Sequence, residues 1–282
     1  MPSSDESTLA FLNLEPDQIL ATLEELGFAC DGRFLTLNSY ENRVYQLGIE
    51  DAAPVVAKFY RPGRWSDEQI LEEHAFAAEL AALDIPVVPP MVVNGETLHR
   101  SGHFRVSVSA CKGGRAPDLD DHRLMRQLGR LIARIHLAGE AGSFEYRPTL
   151  DIDTYGVRSA EFLLESGFIP EELEEVYDGI TDHLFDDIER CFARAGSIRD
   201  IRLHGDFHPG NVLVAGEQLH IVDLDDTRIG PAVQDLWMFL SGDRVEQTPQ
   251  LEVLLEGYTE FRRFDARELH IIEALRTLRI MH

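Results

Sequence analysis

Lysine is almost missing from this sequence. Lys58 and Lys112 are the whole complement in 282 residues, and arginine supplies the rest of the 26 basic residues, set against 50 acidic ones. A net charge of −24, with no run of Lys/Arg anywhere, excludes a surface that attracts the phosphate backbone of nucleic acid. Cysteine is scarce as well. Cys30, Cys111 and Cys191 are odd in number and scattered, with neither zinc spacing nor a disulfide framework, which points to a reducing, cytoplasmic setting. No apolar run approaches the ~18 residues of a membrane span. The start, MPSSDESTLAFLNL, lacks a basic segment followed by an apolar core, so no signal peptide is expected.

What is present is ordinary for a globular chain. Hydrophobic residues make up 44% and charged residues 27%, enough for a sizeable core in one large domain or two lobes. Residues 1–12 are polar and expected to be mobile. EPDQILATLEELG reads as a short helix, with Pro16 at its first position and Gly27 closing it. Two β-type runs follow, FLTLNSYENRVYQLGI and PVVAKFY, turned at EDAA. SDEQILEEHAFAAELAAL opens with a capping box from Ser66 to Gln69, and Ile70, His74, Ala77 and Leu80 share one helical face. MVVNGETLHRSGHFRVSVSA predicts two more strands about Asn94-Gly95, a strong hairpin signal.

After this the texture changes. CKGGRAPD, residues 111–118, is a Gly/Pro-containing connector. Beyond it helices dominate: 122–139, with Leu124, Leu128, Leu131, Ile132 and Ile135 on one face, then 154–166, 171–195, 232–241, 249–264 and 266–282. A strand-rich island, residues 203–224, is set among them. It contains HGDFHPGN, residues 204–211.

Two chemistries compete for that stretch. His204, Asp206 and His208 alternate, as metal ligands on a strand would. Gly205 inside the run and Pro209-Gly210 after it argue for a loop instead, and no His/Cys cluster supplies further ligands. The second reading is a phosphoryl-transfer loop. There an Asp orients the attacking hydroxyl, while an Asn five positions on and a later Asp hold the metal ions. Asp206 and Asn211 have that spacing. VLVAGEQLHIVD then folds as a hairpin about Gly216 and returns Asp223 to the loop. The same template needs a strand lysine held by a helix glutamate. Lys58 in PVVAKFY qualifies, in a chain that otherwise prefers arginine. Glu68, Glu72 and Glu73 compete as its partner. Glu73 is favoured because Phe76 and Leu80 flank it on the sheet-facing side, with Glu72 close behind. A glycine-rich loop over the phosphates is missing. NSYENRVYQ stands in its place, where Ser39, Asn42 and backbone amides are the available donors.

LHGDFHPGNVLV followed by HIVDLDD resembles the aminoglycoside phosphotransferase and choline kinase superfamily. NSYENRVYQ, VVAKFYRPGRWSDEQILEEH, LGRLIARIH and VDLDDTRIGPAVQDLWMFLSG resemble, in order, the blocks of its bacterial stress-response kinases. The resemblance runs over about residues 12–282. It implies an α+β, bilobal protein-kinase-like fold: an N-lobe over 1–109, a hinge over 110–117 and a helical C-lobe over 118–282. It also implies a cytoplasmic, monomeric Ser/Thr protein kinase using ATP and Mg²⁺ on protein substrates. Ser39 would contact ATP, Asp206 act as catalytic base, and Asn211 and Asp223 ligate metal. The adenine would lie against the backbone of Val108–Ala110, and Asp235 would brace the catalytic loop. Relatives in that branch continue past TLRIMH, so a further C-terminal tail is expected. A small-molecule phosphotransferase, or a nucleotide-binding scaffold without transfer, stays open.

Overall fold

The computed structural model describes Phe11 and residues 14–282. Apart from Phe11, the polar stretch 1–12 lies outside the described residues. The chain divides into two compact units. The first runs to Arg115 and takes in Val212–Asp225; the second comprises Ala116–Asn211 and Asp226–His282.

In the first unit α1 (Pro16–Glu25) begins on a proline, whose missing N–H has no partner to lose there. β1 (Cys30–Leu37), β2 (Arg43–Ile49), β3 (Val55–Tyr60), β4 (His99–Ser101) and β5 (Phe104–Ala110) form one antiparallel sheet, in the order β1-β2-β3-β5-β4. The first β-type run is thus two strands. Its middle, residues 38–42, turns because the Ser39 hydroxyl accepts the Asn42 N–H at 3.2 Å, a local bond that competes with a ladder. The hairpin expected at Asn94-Gly95 is also revised. Those residues do form a tight turn, with φ of 53° and 88° and paired Val93 and Glu96 backbones. Yet no ladder extends from it: upstream, the Met91 N–H donates to the Val108 carbonyl of β5 at 2.7 Å instead of pairing across the turn. The strands of the sheet turn instead at Gly102. α2 (Asp67–Ala82) carries the capping box and buries Ile70, Glu73, His74, Phe76, Ala77 and Leu80. The hairpin of β7 (Val212–Ala215) and β8 (Gln218–Ile221) belongs to this unit through backbone bonds of Ile221 to Pro86 and Val88, and of Val214 to Arg115.

The second unit contains α3 (His122–Glu140), capped by Asp121. A π-helical turn over Asp153–Val157 runs into α4 (Arg158–Glu165), and α5 is Glu171–Ala195. β6 (Asp200–Leu203) pairs with β9 (Arg228–Pro231), so the two strands flank the 204–227 segment. α6 is only Gln234–Trp237, shorter than the expected 232–241. α7 (Arg244–Tyr258) starts five residues before the expected 249, because Asp243 and Glu246 make a capping box and Pro249 is carried inside the helix. A 3₁₀ turn, Ala266–Ile271, leads into α8 (Ile272–Met281). Tyr155, Ile188, Val233, Leu275 and Leu278 share one core there. Among the described residues no helix is long and apolar enough to cross a membrane.

Candidate active site

In the first unit, Lys58 is the centre. β3 alternates in burial, and its even positions point away from the core of Val55, Ala57 and Phe59. The Lys58 side chain, 14% exposed, sets Nζ 2.9 Å from Asp225, 3.2 Å from Asp223 and 3.7 Å from Glu73. Burial alone would favour the neutral amine. The carboxylates of Asp225, Glu73 and Asp223 outweigh it and hold the lysine protonated far above its ordinary range. Of the competing glutamates, it is Glu73 that reaches Lys58, from the buried face of α2.

The hairpin delivers Asp223 at φ +61°, a left-handed conformation that few side chains accept. Its side chain is 49% exposed, while that of Asp225 is 5% exposed. Sequence reading left Asp225 unassigned; here it is the carboxylate nearest Lys58, and it also meets Arg64 at 3.4 Å. The pair comes together through a turn after β8 rather than along a strand, so its spacing in VDLDD did not announce the contact. Arg64 carried no signal either.

Asn42 is buried, and its amide oxygen accepts the Arg61 N–H at 3.0 Å. It ties the 38–42 turn to the end of β3. Ser39 caps the same turn. Val108 is buried in β5, and its carbonyl accepts the Met91 N–H at 2.7 Å. Ala110, at the strand end, is exposed.

In the second unit the loop after β6 is set by Asp235. Its fully buried carboxylate accepts the His204 N–H at 2.8 Å and the Gly205 N–H at 2.9 Å. His136 Nε2 lies 3.2 Å away, and His136 Nδ1 is 2.8 Å from the Tyr258 hydroxyl. Burial lowers the affinity of His136 for a second proton; the neutral ring then donates through Nε2 and accepts at Nδ1. Gln234 adds a bond to the Gly205 carbonyl at 2.9 Å. Gly205 has no substitute here: its φ is +86°, and a Cβ would lie 2.1 Å from the Asp226 carbonyl oxygen.

His204 is fully buried, stacked on Phe207 with ring centroids 4.6 Å apart. His208 turns outward, its Nδ1 accepting the Gly210 N–H at 3.0 Å. The two histidines therefore support the loop. No group of three or more His/Cys/Asp/Glu able to hold a metal occurs among the described residues, so the alternating metal triplet does not form.

Asp206 is 22% exposed. Burial pulls its carboxyl upward, but the hydrogen bond from His208 and the Arg279 guanidinium prevail and hold it well below the usual carboxylate range. Asn211 donates from Nδ2 to the Asp206 carbonyl at 2.9 Å, which turns its amide oxygen away from the loop. Asn211 and Asp223 thus each present a hard oxygen donor. That suits Mg²⁺, which keeps several waters and takes phosphate oxygens rather than an all-protein cage.

Residues 34–270 match the phosphotransferase enzyme family, APH. The chain is 41% identical over 278 residues to "Stress response kinase A" of Escherichia coli strain K12, covering 99% of this chain and 84% of that one. It is 40% identical over 280 residues to "Serine/threonine protein kinase RdoA" of Salmonella typhimurium, with the same coverage. Among solved structures, the amicoumacin kinase hAmiN in complex with AMP-PNP and Ca²⁺ superposes with a TM-score of 0.75 at 21% identity, covering 95% of this chain and 84% of that one. The microcompartment-associated aminopropanol kinase gives 0.70 at 20% identity, with coverage of 94% and 86%. These two establish the kinase-like fold.

Proposed function

The chain belongs to the phosphotransferase enzyme family, and from that premise we propose that it is an ATP- and Mg²⁺-dependent Ser/Thr protein kinase acting in a stress response. The observation that supports a protein substrate is the 40% identity, over nearly the whole chain, to a relative named serine/threonine protein kinase. Small-molecule kinases share the fold at half that identity.

In the proposed reaction the acceptor hydroxyl oxygen bonds to the γ-phosphorus as the bond to the β–γ bridging oxygen breaks, and ADP leaves. Lys58, oriented by Glu73, takes the α/β-phosphate oxygens. Bound Mg²⁺, held by Asn211 and Asp223, would neutralise phosphate charge. Asp206, held ionised, accepts a hydrogen bond from the hydroxyl and aims it. A strongly acidic carboxyl is a poor base in the ground state, which fits a loose transition state where the proton leaves late. The protein's contribution is position and charge. Ser39 and the 38–42 turn would cover the phosphates, Asn42 by shaping that turn, and the Val108–Ala110 backbone would border the adenine. The protein works as a cytoplasmic monomer, without nucleic-acid or membrane partners.

γ-Labelled ATP tests this. Autophosphorylation and transfer to a basic protein substrate should exceed transfer to a panel of amino alcohols, sugars and aminoglycosides, and Asp206→Asn should abolish it while ATP still binds. The second reading, a small-molecule kinase, rests on the solved structures it resembles. Turnover confined to one of the small alcohols would establish it instead.

A further inference from the structure

From Leu203 to Thr227 the chain contains no lysine or arginine, so the loop carrying Asp206 has no cation of its own. One arrives from far along the chain. In α8, the residues Ala274, Leu275 and Leu278 are buried in the core with Tyr155, Ile188 and Val233, which fixes the rotation of the helix. Arg279 follows Leu278 and lays Nη1 2.5 Å from Asp206 Oδ1. Arg276, one turn earlier, is committed elsewhere: it pairs with Glu273 at 3.1 Å and lies over the Trp237 ring at 5.3 Å.

The Arg279 side chain is 43% exposed. Asp206 is less open, 22% exposed with Oδ1 buried, so the guanidinium reaches from the solvent side to a covered carboxylate oxygen. This geometry serves the loop. With His208 Nε2 3.5 Å from Oδ2, both Asp206 oxygens have a neighbour, and the second neighbour is loose. The carboxylate is therefore anchored at Oδ1 and approachable at Oδ2.

We propose that Arg279 is a positioning residue for the transfer reaction: it clamps Asp206 through Oδ1 so that the acceptor hydroxyl meets the carboxylate in one orientation. This rests on the phosphotransferase reading above. A guanidinium suits the task better than an ammonium, since its planar fork fixes direction as well as charge.

The test compares wild type with Arg279→Ala and Arg279→Lys, following kcat for acceptor phosphorylation, KM for ATP and thermal unfolding. Arg279→Ala should lower kcat by about 10–100-fold, the scale of a misplaced catalytic group, with KM for ATP within about twofold of wild type. Arg279→Lys should fall between. Added ethylguanidinium should restore part of the kcat of Arg279→Ala and none of that of Asp206→Asn, a rescue that a merely structural arginine would not show. An unchanged kcat in Arg279→Ala overturns the proposal. So does a raised kcat, which would make the contact an obstruction, and so does failure of rescue in a variant that unfolds like wild type. A wild type that transfers phosphate to no acceptor would sink the phosphotransferase reading itself, whereas an active wild type with an unaffected Arg279→Ala sinks only this role.

Discussion

Asp235→Asn changes one atom's chemistry and almost nothing of shape, so it isolates what the buried carboxylate does. In the folded protein Oδ2 receives the His204 N–H and the His136 Nε2–H, and Oδ1 receives the Gly205 N–H. An asparagine amide has a single acceptor oxygen. With that oxygen at the Oδ2 position, its NH₂ faces the Gly205 N–H, leaving two donors opposed in a site with no solvent access. A buried unsatisfied donor costs about 1–3 kcal/mol, and the two retained bonds lose their charge assistance, about 1 kcal/mol each. Part of this is offset because a neutral amide is cheaper to bury, leaving a net loss of about 2–4 kcal/mol. For a chain of this size that lowers Tm by roughly 3–7 °C. Gly205 precedes Asp206, so kcat should fall about 100-fold while ATP affinity holds. Calorimetry, acceptor turnover and ATP titration measure the three. If Asp235 were only a charge at the start of α6, the loss would stay below about 1 kcal/mol with kcat unchanged, and that result would refute the bracing role.

Three further outcomes are expected. Lys58→Ala removes the cation nearest Asp225, leaving that buried carboxylate to Arg64, and takes the ammonium from beside Glu73; it should cost about 1–3 kcal/mol in thermal or denaturant unfolding and remove ATP binding in a titration. Burial pushes the Glu268 carboxyl up to about 7 from its ordinary 4.5, against the opposing bond from the Val233 N–H. The folded chain therefore keeps a proton that the unfolded chain releases; the associated stability is complete below about pH 4.5 and lost as pH rises through 7, about 3 kcal/mol in all. Glu268→Gln, still able to accept from Val233, should raise Tm above wild type at pH 8 and match it at pH 4. Finally, chelating divalent metal should weaken ATP binding itself by at least about tenfold, measured by calorimetric titration with and without EDTA.

Local chemistry made much of this legible in the sequence. The capping box at Ser66, the proline start of α1, the lone strand lysine and the Asp206–Asn211 spacing all act within a few residues, and the structure has them where those rules put them. Helical periodicity favoured Glu73 without excluding Glu72, and the 3.7 Å contact with Lys58 is made by Glu73. What escaped depends on partners distant in sequence. β9, with the sequence RIGP, has a glycine and a proline in four residues and becomes a strand only because β6 lies beside it. Arg279 is 73 residues from Asp206, and no pattern near either residue announces the other. The Asn94-Gly95 turn formed as its dipeptide dictates, yet the backbone before it bonds to β5 at Val108, so a correct local rule gave a wrong pair of strands.

The near-absence of lysine gains a physical sense from the charges around Lys58. Arg64 meets Asp225 at 3.4 Å and Glu41 at 3.3 Å, and Arg61 meets Glu41 at 3.1 Å, so three cations of the first unit, Lys58, Arg61 and Arg64, answer four carboxylates: Glu41, Glu73, Asp223 and Asp225. Such a cluster repels a bare polyphosphate. In the proposed reaction Asp223 would hold a divalent ion whose charge offsets the carboxylates, and Lys58 would be free to turn from carboxylate to phosphate oxygen. A compact, rotatable ammonium can make that exchange, whereas a guanidinium would stay locked in a bidentate pair with Asp225. The demand for a switchable point charge accounts for lysine at position 58 in a chain that uses arginine at 24 of its 26 basic positions; Lys112, in the connector after β5, answers to no such demand.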